Sequence, residues 1–346
     1  MKIAHIVRVT PHRAGLYETA RELAEGLRDL GHHAFMIDPV QNYLSITNML
    51  LDPIDRNVPI HEPALAEEAD LLINHSGLSG ELNQLDKPII HMLHGRPYSS
   101  FILEQTGKIA IYSYWRKVAG DPRFKAFVTF WPSFVPYFQN ILPPEKVHAI
   151  PAPVDLEAWT PEGPDGYQFH GNSGNPNVVC TDLWREDIDP YHIINAFMYF
   201  ADRLSGAKLH IYAAPQKGTA WGILKATLRE KGYLGECVGI VKGLDNVYRA
   251  ADVMITPHCI ATRSIREALA CGCQVVSGPS GKYTPYQAHP EDLKYYAGMI
   301  NQAYNDLGKT HPDTVHLNRS VAEEHFDPEN TADQFNAIIK EVMNNG

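Results

Sequence analysis

Several features are scarce or missing in this chain, and each absence removes a class of protein. Cysteine is scarce: Cys180, Cys237, Cys259, Cys271 and Cys273 are the only five in 346 residues, an odd number without a C-x-x-C pair. That argues against a disulfide framework and a zinc site and fits a reducing cytosol, so the cytoplasm is the expected location. No apolar run reaches the roughly 20 residues of a membrane-spanning helix. The opening "MKIAHIVRVTPHR" is too short and too interrupted in its apolar part for a signal peptide. Any membrane contact is therefore expected to be peripheral. The G-x-G-x-x-G fingerprint of dinucleotide-binding folds is missing. So is a D-x-D pair in a setting that suggests a metal-diphosphate clamp, and no metal site is expected.

What is present belongs to a globular protein. Apolar residues make up 44% and charged residues 20%, the balance of an ordinary soluble chain. The length exceeds what one hydrophobic core usually holds, so two domains of about 150 residues are expected. Net charge is −10, unevenly spread: residues 1–150 carry 14 Lys and Arg against 16 Asp and Glu, leaving −8 to the rest. Within 96–125 the sign reverses, where Arg96, Lys108, Arg116, Lys117, Arg123 and Lys125 face only Glu104 and Asp121.

Apolar runs and helical periodicity alternate along the chain. "IAHIVRV" (3–9) reads as a buried strand. Leu16, Ala20, Leu23, Ala24, Leu27 and Leu30 then recur at helical spacing, with Gly31 as the stop. "HHAFMID", "ADLLIN" (69–74) and "PIIHML" (88–93) read as further strands. A Pro-, Gly- and Asn-rich loop after "KVHAIPAPVD" (146–155) marks a boundary. A second series follows: strands at 178–181, 208–213, 237–241, 252–257 and 274–277, with helices at about 190–204, 219–231 and 245–250 and another entered near Ser264. This pattern gives parallel β-α-β units and an α/β fold of two doubly wound, Rossmann-like domains. The expected boundaries are 1–152 and 153–329, with a last helix at about 330–346 packing back on the first domain. Two such sheets facing across a cleft would put the ligand beyond the carboxyl ends of their strands.

Two strand-to-helix turns carry candidate chemistry. Gly15 follows the first strand, where free N–H groups at a helix start suit a phosphate; a lone glycine there is more often only a sharp turn. "HCIATRSIREALACGCQVVSG" (258–278) repeats the arrangement. Thr262, Arg263 and Ser264 sit where amides would point outward, and Arg263 could grip a phosphate with two parallel bonds. The alternative is a capping box, S-x-x-E from Ser264 to Glu267, which needs no ligand.

The run 247–278 resembles the donor-binding signature of GT-B glycosyltransferases, specifically glycosyltransferase family 4. Ala251-Asp252-Val253, Pro257, Glu267-Ala268, Ala270, Gly272 and Val275-Val276 match in order and spacing. "IPAPVD" (150–155) is similar to the family's entry to its second domain, "GLYETARELAEGLRDLGH" (15–32) to its first glycine turn and helix, and "PIIHMLHG" (88–95) to the strand that delivers a histidine to the cleft. The resemblance implies a retaining, metal-independent transferase without a cofactor, using a nucleotide-diphosphate sugar, expected to be a UDP-sugar, as donor. It implies that Glu267 holds the ribose hydroxyls and that the amides of Thr262 to Ser264, with Gly15, cradle the diphosphate. Arg185 would stabilise the leaving group and His94 would hydrogen-bond the donor sugar. Cys259 stands where the family has its first glutamate. The family's lysine falls near Pro190, and Lys217 could replace it.

For the acceptor, the aromatic and basic stretch 98–138 holds 12 of the chain's 34 aromatic residues. Trp115, Arg116 and Lys117 are its candidate contacts, although "AFVTFWPSF" equally reads as core strand. A saccharide or another small hydroxyl acceptor is expected. The other readings are transfer to modified DNA bases with a nucleic-acid partner, a nucleotide-sugar epimerase of the same fold, and a nucleotide-sugar-binding protein without turnover.

Overall fold

The computed structural model describes residues 1–8, 14–39, 58, 60–76, 78, 80–107, 110–163, 167–169, 175–182, 184, 190–215, 218–239, 241, 243–279 and 283–344. They form two compact units, one of residues 1–153 and 326–346 and one of 154–325. Each is built on its own parallel sheet.

In the first unit, seven strands lie in the order β3-β2-β1-β4-β5-β6-β7. They are β1 (Lys2–Ile6), β2 (His33–Ile37), β3 (Ile60–His61), β4 (Leu71–Asn74), β5 (Ile89–Leu93), β6 (Phe124–Thr129) and β7 (Val147–Ala149). The central strands are buried along nearly their whole length, as strands covered on both faces must be. Helix α1 (Ala14–Asp29) returns the chain from β1 to β2, burying Tyr17, Ala20, Leu23, Ala24 and Leu27. Gly31, at φ +85°, closes it. Then come α2 (Pro97–Gln105), α3 (Ile111–Val118) and α4 (Val135–Gln139).

The second unit has five strands in the order β10-β9-β8-β11-β12. They are β8 (Asn177–Cys180), β9 (Lys208–Ile211), β10 (Leu234–Cys237), β11 (Val253–Ile255) and β12 (Gln274–Val276). The helices are α5 (Tyr191–Ala201), α6 (Thr219–Glu230), α7 (Leu244–Ala250), α8 (Arg263–Ala270) and the 34-residue α9 (Leu293–Phe326). The last helix, α10 (Pro328–Asn344), belongs to the first unit and packs on α1. A Cβ on Gly26 would lie 2.6 Å from that of Ala332, so only glycine permits this approach.

In both sheets the strand order reverses once, between β1 and β4 and between β8 and β11. At such a point the chain leaves neighbouring strands in opposite directions, opening a crevice at their carboxyl ends.

Candidate active site

The second unit gathers polar groups at its reversal point. Asp182 follows β8, His258 follows β11, and α8 begins at Arg263. Asp182 Oδ1 lies 3.3 Å from His258 Nε2 and 3.4 Å from Ser264 Oγ, which is itself 3.0 Å from Thr262 Oγ1. Both Asp182 and His258 are buried, and Asp182 Oδ2 and His258 Nδ1 have no hydrogen-bond partner among the described residues. A buried polar atom left this way is destabilising by roughly 1–3 kcal/mol unless something completes it. The backbone here is tightly fitted. A Cβ on Gly278 would meet Cys259 Sγ at 2.6 Å and the His258 carbonyl oxygen at 2.9 Å.

Helix α8 decides between the two readings of its start. The N-cap is Thr262, and its side chain makes no capping bond to the helix. Ser264 lies inside the first turn, bonded to Thr262 and Asp182. The Ser264–Glu267 capping box is therefore corrected: the helix begins two residues earlier than that box requires. Glu267 instead points along the helix to Arg263, with Oε1 2.5 Å from Nε. Arg263, expected to grip phosphate, thus orients the carboxylate. A carboxylate offers about four acceptor sites, so one guanidinium contact does not exhaust it. Glu267 is only 6% exposed. Tyr248, against it, is fully buried; desolvation and then the nearby Glu267 charge push its hydroxyl pKa well above the ordinary range. The Cys259 thiol lies against Gly278 and 3.9 Å from the Pro257 carbonyl.

The first unit carries a different set. Gly15 is exposed in the first turn of α1, and its carbonyl accepts the Thr19 hydroxyl. His94 directly follows β5, partly exposed, with its ring 5.3 Å from that of Phe130. Its Nε2 is 3.0 Å from Nδ1 of His75, which follows β4. Asp182, His258 and His75 escaped the sequence reading. The signal that could have found them is their place: each directly or nearly follows a strand flanking a reversal point.

The acceptor candidates separate. Trp115 is fully buried, with its ring 5.2 Å from Phe138. It is a core residue, and the expectation of an acceptor contact is corrected, because its apolar area is spent on holding α3 to the sheet. Arg116 and Lys117 are exposed in the last turn of α3, where cations suit the helix dipole. The basic stretch is also less available than its charge suggests: Arg123 is held by Asp121 at 2.6 Å and donates to the carbonyls of Asn83 and Leu85. Arg185 and Lys217 lie outside the described residues. Among the described residues, no group of three or more His, Cys, Asp or Glu side chains could hold a metal ion, and no helix is long and apolar enough to cross a membrane.

No protein-family model matches the chain, and no curated protein sequence matches it. Solved structures do. The chain is similar to HepE of Anabaena in complex with UDP and glucose, with a TM-score of 0.75 at 15% identity over 98% of this chain and 99% of that one. The chain has the GT-B fold. A glycosyltransferase of Rickettsia africae aligns with a TM-score of 0.73 at 13% identity, over 100% of this chain and 99% of that one. Sucrose-phosphate synthase of Thermosynechococcus elongatus aligns over 100% of both chains, with a TM-score of 0.71 at 16% identity.

Proposed function

We propose that the chain is a glycosyltransferase that moves a sugar from a nucleotide-diphosphate donor, a UDP-sugar, to an acceptor hydroxyl. In this reading it works in the cytoplasm, retains anomeric configuration and needs no metal. The observation that carries it is the start of α8. A helix N-terminus without a side-chain cap stands at the reversal point of its sheet, with a buried carboxylate one turn further along. Amides there suit a diphosphate, and Glu267 suits a pair of vicinal hydroxyls. The likeness to HepE, crystallised with UDP-glucose, supports UDP as the nucleotide. Five cysteines without a disulfide fit a reducing compartment.

The chemistry follows from where charge develops. As the glycosidic bond breaks, negative charge collects on the departing diphosphate, and preorganised N–H donors stabilise it without reorganising. The α8 amides supply such donors, and Arg185 and Lys217 add cationic charge to them. The diphosphate itself takes the acceptor's proton. A saccharide hydroxyl is the favoured acceptor, because Arg123 is bound internally and the chain as a whole repels polyanions.

Thermal shift across nucleoside diphosphates and their sugars tests the reading. UDP and at least one UDP-sugar are expected to raise the midpoint, since ligand at about a hundred times its Kd stabilises by about 2.7 kcal/mol. If no nucleotide moves it, the proposal fails.

A further inference from the structure

His94 is the outer end of a chain of three imidazoles. His5 Nδ1 is 3.0 Å from His75 Nε2, and His75 Nδ1 is 3.0 Å from His94 Nε2. The ring centroids are 5.3 and 5.2 Å apart. The sheet register builds this row. His5 on β1 is level with Ile73 on β4, and Asn74 is level with His91 on β5. Each histidine therefore stands two residues further along than its neighbour on the previous strand. A two-residue step keeps all three side chains on one face, climbing toward the carboxyl edge. His5 is fully buried, His75 is 4% exposed and His94 is partly exposed. His91, one residue out of step, faces away from the row and packs against Tyr114, Phe124 and Phe127.

The direction of donation along this row can be read from its buried end. Each neutral imidazole offers one donor and one acceptor, so two linked bonds must run the same way. His5 Nε2 is buried without a partner among the described residues. Were the bonds to run inward from His94, that atom would carry a hydrogen with nothing to receive it among the described residues, and orphaned buried N–H groups are rare. Running outward, His5 Nδ1–H donates to His75 Nε2, His75 Nδ1–H donates to His94 Nε2, and only the lone pair of His5 Nε2 is left unmatched. Burial keeps the inner rings neutral, as the row requires: it pushes the pKa of His5 down to about 3 and that of His75 well below the usual histidine range.

We propose that His5 and His75 are positioning residues that hold His94 in its Nδ1–H tautomer, so that His94 presents a hydrogen-bond donor, and not a base, to a ligand at the carboxyl edge of the first sheet. In this tautomer the basic nitrogen is Nε2, and His75 already occupies it. The identity of the ligand rests on the glycosyltransferase reading. A fixed donor is the chemistry that a leaving diphosphate or a sugar hydroxyl needs, whereas a base next to an accumulating negative charge would oppose the reaction.

The tautomer is measured without any ligand, by long-range nitrogen-proton correlation on the full chain labelled with ¹⁵N-histidine. The His94 signals are assigned by their loss in His94→Gln. Near pH 7.5, His94 is expected to show a protonated Nδ1 and an unprotonated Nε2. His75→Phe keeps a ring in place and removes the donor. It is expected to switch His94 to the Nε2–H form that a free histidine side chain favours and to lower kcat about tenfold or more, with donor affinity much less affected. A wild-type His94 that is Nε2–H or doubly protonated overturns the inference, even if His75→Phe fails to fold. So does a His75→Phe chain whose His94 tautomer is unchanged. Because the spectrum needs no substrate, a chain that binds no nucleotide refutes the proposed function and leaves this measurement intact.

Discussion

Glu267 shows how much one side chain can carry. It is buried, paired with Arg263 along the same helix, and close enough to Tyr248 to add to the rise that burial causes in that hydroxyl's pKa. Two hydroxyls bonding to a carboxylate gain more than two bonding to an amide, at about 1.5–3 kcal/mol for each charged hydrogen bond. Glu267→Gln keeps the shape and removes the charge. It is expected to weaken UDP binding by tenfold or more by calorimetry, with a much smaller change in thermal stability; unchanged affinity with lost stability would make the residue structural. The sequence showed Glu267 because a signature surrounds it, and showed Arg263 without its role, since an i,i+4 pair and a phosphate grip read alike in one dimension. Asp182 and His258 stayed invisible because their meeting depends on β8 and β11 lying side by side. Those strands are more than 70 positions apart in the chain.

At the level of elements, helix α8 is ended by backbone geometry. Its far end is a Schellman motif: Cys273 N donates to Ala268 O, Gly272 N donates to Leu269 O, and Gly272 has φ +79°. A Cβ there would be strained by that φ and would stand 2.6 Å from Val315 Cγ1 on α9. Gly272→Ala is expected to destabilise the chain by about 1–3 kcal/mol in denaturant unfolding. A neutral result would mean that the motif is not formed.

Most strands were legible because burial on both faces leaves an uninterrupted apolar run. β10 was not. The expected strand at 237–241 lies instead at Leu234–Cys237, an edge strand that begins Leu-Gly-Glu. Gly235 is there because the His210 ring lies 2.5 Å from where its Cβ would be. Glu236 is buried because it accepts hydrogen bonds from Tyr167 and Tyr212. Neither feature looks like a strand to a hydropathy pattern. Helix α9 has no place in the sequence reading, and Gly308 and Pro312 within its span are residue types that disfavour a helix interior.

For the whole molecule, buried neutral histidines set a pH dependence. Burial lowers His5 to about 3, His91 to about 4 and His210 to about 4. In the unfolded chain the same groups titrate near 6.5. Below that value the unfolded state takes up protons that the folded state refuses. The stability is full above about pH 6.5 and falls as pH drops toward 4, by up to about 1.4 kcal/mol per pH unit for each group. Urea unfolding at pH 7.5, 6 and 5 is expected to show this steady loss; a flat profile would mean that these histidines are not buried neutral in solution. The tandem α/β architecture was legible throughout, because alternation of strand and helix is a local property. At 13–16% identity to the solved structures the fold is shared, and the residues at its reversal points must speak for the chemistry.

The central claim is that the start of α8 receives a nucleoside diphosphate. The most direct measurement is the backbone amide spectrum of the chain during UDP titration. The account predicts saturable movement of the Arg263, Ser264 and Ile265 amides, lost in Glu267→Gln at the same UDP concentration. UDP that leaves these three amides in place, or binds with the shifts confined elsewhere, would contradict it.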